Sequence, residues 1–215
     1  MKRKMKIGIA LCLLAAFAVW TVLVCRVDVQ CVGPQGTAVG FAAMNLWFHR
    51  LTGVHMALYT LTDWLGLVPI GIAVGFALLG LGQWVHRKRL RKVDRSILIL
   101  GGFYLAVMAA FLFFEEWIVN YRPVLINGQL EASYPSSTTL LVMCVMPTAG
   151  MQLSGRIKNS RWKRCIAVAL YGFTGWMVLG RLVSGVHWLS DIVGGILLSG
   201  GLVLLYAAAA DGAKR

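Results

Sequence analysis

The sequence predicts an all-α, polytopic membrane protein with about six transmembrane helices plus interfacial helical pieces. Three observations carry that prediction. The 215-residue chain is 59% hydrophobic with a mean hydropathy of +0.74, more apolar surface than one soluble core can hide. The apolar residues fall in long runs separated by short polar breaks. The basic residues collect in four of those breaks, at 2–6, 87–95, 156–164 and 214–215. A net charge of +13 could suggest nucleic acid, but this distribution is that of loops on the positive side of a membrane.

The runs place spans at 7–25, 65–85, 96–119, 138–153, 165–179 and 188–206. The first follows a basic stretch, as a signal peptide would. Its length and the lack of a small-residue cleavage site favour a retained anchor. Six spans beginning inside put both termini in the cytoplasm of a cell membrane. Of the 21 Lys and Arg residues, 17 then lie on the inner side, leaving Arg26, Arg50, Arg122 and Arg181 outside. Trp64, Trp117, Tyr121, Tyr134 and Trp188 mark the outer boundary, and Trp84 and Trp162 the inner one, as an aromatic belt does. The stretch 33–63 is too long for a turn and too apolar for a solvated loop. It reads as helical pieces at 39–51 and 55–61 lying in the outer interface. Of the five cysteines, Cys12, Cys144 and Cys165 read as packing residues, while the pairing of Cys25 with Cys31 stays open. The whole chain, 1–215, reads as a single membrane-embedded domain.

Three outer segments carry polar residues that anchoring does not need: Asn120-Tyr121-Arg122-Pro123, then Tyr134-Pro135-Ser136-Ser137-Thr138-Thr139, then the stretch from Arg181 through His187 to Asp191. His187 and Asp191 are four apart at the start of a helix and share a face. The carboxylate is expected to accept the imidazole Nδ1–H, leaving Nε2 free as a nucleophile. Arg181 offers a planar fork suited to phosphate oxygens, and Arg122 a second. Ser136 or Ser137 caps the fourth span, whose first N–H groups suit an anion. No His/carboxylate cluster has metal-ligand character.

The order and spacing of these segments resemble the three signature motifs of the type-2 phosphatidic acid phosphatases, Lys-x6-Arg-Pro, Pro-Ser-Gly-His and Ser-Arg-x5-His-x3-Asp, over about residues 96–206. In the third, Arg181, His187 and Asp191 are in place, with Gly180 where Ser is usual. In the second, Pro135 and Ser136 agree, and in the first, Arg122 and Pro123. The resemblance implies hydrolysis through a phosphohistidine. His187 would be the nucleophile and Asp191 its orienting partner. Arg122, Ser136, Ser137 and Arg181 would bind the phosphate, without metal or other cofactor.

Two positions depart from the pattern. Glu115 stands where the family has a lysine, and Thr138 where it has the histidine that protonates the leaving oxygen. Thr138 is the candidate acid or its substitute, with His49 and His55 as replacements. Loss of the donor favours a diphosphate, whose leaving phosphate needs no proton, over a monoester; general acid help is worth about 10²–10⁴-fold. The expected substrate is a membrane lipid phosphate, with a polyprenyl diphosphate such as undecaprenyl diphosphate ahead. The rivals are a phosphotransferase, with Glu115 or Glu116 holding a cationic group, and a relative that binds lipid phosphate without cleaving it.

Overall fold

The computed structural model describes residues 1–212. Its helices are α1 (Arg3–Arg26), α2 (Ala42–Thr52), α3 (Met56–Leu65), α4 (Leu67–Arg87), α5 (Arg95–Glu116), α6 (Ser137–Arg156), α7 (Ser160–Val183) and α8 (Leu189–Gly212). All six expected spans are long helices. Five stretches, containing α1, α4, α5, α7 and α8, are long and apolar enough to cross a membrane. The exception among the six is α6, which carries Thr138, Thr139, Thr148 and Gln152 buried along its length. It packs against α4, α5, α7 and α8, so protein rather than lipid surrounds its polar groups. Pro147 interrupts its backbone ladder. The adjacent Thr148 hydroxyl lies within hydrogen-bonding distance of the Cys144 and Val145 carbonyls, at 2.7 and 3.0 Å.

The expected interfacial pieces are α2 and α3. Gly66 keeps helical angles between α3 and α4, so the second span continues outward through α3. The third span stops at Glu116, short of the expected Val119, because Trp117 turns the chain into an extended loop. That loop doubles back, with Tyr121 opposite Ala132 and Ile126 opposite Gln129. Asn127 and Gly128 both adopt positive φ, 50° and 78°, the pair favoured in tight hairpin turns.

At the centre, α1 packs along α8, and α6 lies between α7 and α8. An aromatic core of Phe17, Phe103, Phe114, Tyr134 and Tyr206 fills the space between α1, α5, α8 and the loop before α6. The fourth basic break, 214–215, lies outside the described residues, and the other three, at 2–6, 87–95 and 156–164, gather at one end of this bundle. There Lys6 meets Asp211 at 2.6 Å, and Gln152 bonds both the Ser96 carbonyl and the Tyr206 hydroxyl, at 2.9 and 2.6 Å. The three polar segments gather at the other end.

Candidate functional site

The site is assembled by backbone bonds that lash the three segments together. Ser133 N–H donates to the Asn120 carbonyl at 2.9 Å, and Ser136 N–H to the Asp191 carbonyl at 3.2 Å. The Trp188 indole donates to the Tyr121 carbonyl at 2.8 Å. Two glycines permit this closeness. A Cβ on Gly194 would sit 2.6 Å from the Tyr134 ring, and one on Gly185, at φ +69°, would sit 1.9 Å from the Gly53 carbonyl oxygen. The second contact brings the α2–α3 link onto the loop before α8. His55 N–H donates to the Ser184 carbonyl there, at 2.9 Å.

His187 stands in that loop, 3% exposed, and its Nε2 has no hydrogen-bond partner among the described residues. Burial holds its imidazole well below the ordinary pKa range, and the charges of Arg122 and Arg181 push it lower. It is therefore neutral at neutral pH, with a lone pair available. The expected direct bond from Nδ1 to Asp191 is not formed. The two groups are 3.9 Å apart, and Ser133 stands between them. Its Oγ is 3.0 Å from Nδ1 and donates to Asp191 Oδ2 at 2.5 Å. The carboxylate also accepts from Trp188 N–H at 2.9 Å and Asn120 Nδ2 at 3.2 Å. His187, Ser133, Asp191, Trp188 and Asn120 thus make up a cluster that spacing alone assigned to two residues.

The arginines are buried beside it. Arg181, 1% exposed, donates from Nη2 to Asp63 at 2.9 Å and to Thr138 Oγ1 at 2.5 Å. Arg122 Nε lies 3.0 Å from a Glu131 oxygen as an ion pair, at an angle that leaves the N–H without a hydrogen bond. Both guanidiniums lie over the Tyr59 ring, their carbons 5.6 Å (Arg122) and 4.7 Å (Arg181) from its centroid. Arg122 Nη1, Arg181 Nε and Thr139 Oγ1 are buried with no partner among the described residues. Each such orphan costs on the order of 1–3 kcal/mol, and the two guanidiniums lie near enough to His187 for their charges to act on it, an arrangement suited to an anion.

Ser136 is the residue that caps α6, its hydroxyl accepting from Thr139 N–H at 3.4 Å. Ser137 is the first residue of the helix. Thr138 is placed on Arg181, where its hydroxyl oxygen holds the guanidinium. His49 accompanies the site, its Nε2–H directed at the Gly185 carbonyl at 3.2 Å, while the His55 ring meets the carbonyl of its neighbour Thr52. Glu115 lies behind the second segment, sharing a small cavity with Ser133, Tyr134 and Ser137.

The last 100 residues, 116–215, match the family model for the PAP2 superfamily. Over these residues the chain is similar to the PAP2 superfamily. The matched region contains Arg122, Ser136, Arg181, His187 and Asp191, so all three motif segments fall within it. The fold is similar to the crystal structure of a transmembrane PAP2-type phosphatidylglycerolphosphate phosphatase from Bacillus subtilis. The TM-score is 0.56 at 20% identity, with 95% of this chain and 96% of that one covered. Among curated proteins nothing matches the chain.

Reasoning from sequence missed Ser133, Tyr59 and Asp63, and gave Asn120 no role. Ser133 adjoins the second PAP2 segment and was within reach of a closer reading. Tyr59 and Asp63 carried no local signal, because their partner Arg181 is more than a hundred residues away in the chain.

Proposed function

We propose that the protein is a lipid phosphate phosphatase that forms a phosphohistidine at His187, with a lipid diphosphate as its preferred substrate. The observation that carries this reading is the bare, buried Nε2 of His187 beside two guanidiniums with unused donors. Phosphorus is attacked by the Nε2 lone pair; the N–P bond forms as the bond to the leaving oxygen breaks. Arg122 and Arg181 bind the phosphoryl oxygens, assisted by Ser136 and the N–H groups that open α6. Asp191 balances the positive charge that develops on the imidazole. Water then attacks phosphorus, the N–P bond breaks, and inorganic phosphate leaves with the water oxygen while its proton passes to solvent.

The lipid part of the assignment is supported by an apolar groove flanked by α4 and α5, with α6 as its floor. It has a volume of about 1010 Å³ and runs from Asp63 and Thr138 down past Leu140 and Val145 to Trp84 and Val93. A phosphate held by Arg181 would have its hydrocarbon chain at the mouth of this groove. Thr138 supports the diphosphate. With its hydroxyl oxygen engaged by Arg181 and its alcohol a weak acid, it suits a leaving group that departs as a stable anion.

The test is a matched pair of substrates with one hydrocarbon tail, one a diphosphate and one a monophosphate, given to purified protein while released phosphate is measured. The diphosphate should turn over at least tenfold faster, with the roughly 10²–10⁴-fold that a general acid supplies as the upper limit. Equal turnover of the monophosphate would show that another donor acts, and His49 would be the residue to replace.

The site is assigned to the extracytoplasmic face of the cell membrane, with both termini cytoplasmic, on the strength of the basic residues at the opposite end. In a background free of native cysteines, a cysteine at Asn127 should react with an impermeant reagent on intact cells, and one at Asn159 should be protected. The reverse pattern would turn the site inward.

A further inference from the structure

The geometry points to Ser133 as a positioning residue that fixes the tautomer of His187, interposed between the nucleophile and Asp191. A serine hydroxyl has one proton and two lone pairs. Its closer partner is Asp191 Oδ2, at 2.5 Å, and an ionised carboxylate only accepts. The single proton therefore goes to Asp191, and a charge-assisted bond of this kind is short. What Ser133 presents to His187 Nδ1, 3.0 Å away, is then a lone pair. Nδ1 must carry the proton, because two lone pairs facing each other at that distance repel. The neutral ring has only one proton, so Nε2 is left bare.

Asp191 does not do this directly. It is 3.9 Å from Nδ1, and its oxygens already accept from Trp188 N–H and Asn120 Nδ2. Ser133 is fixed in place, 2% exposed, with its own N–H on the Asn120 carbonyl at 2.9 Å. Asn120 thus holds both Ser133 and Asp191, and the carboxylate reaches the imidazole through a hydroxyl. When phosphorylation places positive charge on the ring, the chain from Nδ1–H through Oγ–H to the carboxylate polarises in one direction and no proton has to leave it.

This role rests on the reading of His187 as a nucleophile, and its test is chosen to separate the two. Protein labelled with ¹⁵N-histidine and purified in micelles reports the His187 tautomer without any substrate. The wild type should show the Nδ1–H form. Ser133→Ala should show a mixture or the Nε2–H form, with kcat reduced on the order of 100-fold and KM little changed. Ser133→Thr, which restores the hydroxyl, should recover both the tautomer and most of the rate. Ser133→Cys keeps the volume and loses most of the hydrogen bonding, so it serves the same purpose if the alanine variant does not fold. An unchanged Nδ1–H form in the Ala or Cys variant would overturn the role of Ser133, whatever the activity. A tautomer that shifts as described, in a protein that releases no phosphate from any lipid substrate, would leave Ser133 standing and remove the phosphatase.

Discussion

At the basic end of the bundle Lys6 closes on Asp211, Arg87 pairs with Asp94 at 3.0 Å, and Arg156 bonds Gln152. At the opposite end Arg122 and Arg181 are more deeply buried, yet each keeps a guanidinium nitrogen without a hydrogen bond, and His187 Nε2 has no partner among the described residues. The residue types are alike; the completeness of pairing is not. Polar groups at the basic end hold helices together where α1, α5, α6 and α8 meet. Those at the other end are brought together by Ser133, Asn120 and Tyr59 and left with unused hydrogen-bonding capacity. That capacity costs folding energy, and binding a phosphate would offset it.

Replacement of side chains at the two ends should therefore give a graded series in kcat/KM for purified protein. Arg122→Ala and Arg181→Ala should show the largest losses, on the order of 10²–10³-fold, the scale for removing a donor from a developing oxyanion. Lysine at either position should recover only part, because a point charge cannot replace the planar fork. Thr138→Val should be milder, about tenfold, since Arg181 keeps Asp63 when it loses the hydroxyl. Lys6→Met and Asp94→Asn should change kcat/KM by less than about twofold, as partly exposed pairs contribute only about 0–1 kcal/mol to stability. A loss at the basic end equal to that of Arg122→Ala would erase the contrast between the ends.

How much of this was legible in the sequence follows from the range of each signal. Hydropathy is read along the chain, so six long helices could be placed within a few residues. The helix with the most polar residues, α6, still stood out as an apolar run because Leu140, Leu141, Val142 and Val145 are clustered in its first half. The i,i+4 spacing brought His187 and Asp191 within 3.9 Å of each other, although His187 lies in the loop before α8 and not on the helix. It failed on their bond, because spacing fixes direction to within a turn and not an ångström distance, and a third side chain entered from a loop. The Asp63 and Tyr59 contacts to Arg181 depend on how α3 folds over α7, a tertiary event with no periodic trace in the sequence. Glu115 stands where the resemblance puts a lysine of the first motif. In the fold Glu115 sits at the end of α5 behind Tyr134 and Pro135, and the arginines have Glu131 and Asp63 as their acidic partners instead.

The central claim is that His187 takes the phosphoryl group. Purified protein mixed rapidly with a lipid diphosphate carrying ³²P in its terminal phosphate, then quenched in alkali, should retain label on the chain. Phosphohistidine survives base and is lost in acid, unlike a phosphoester of Ser or Thr. The label should map to the peptide containing His187, should be absent from His187→Ala, and should chase away when unlabelled substrate is added. Alkali-stable label on His187→Ala, or steady phosphate release by that variant at the wild-type rate, would contradict the account.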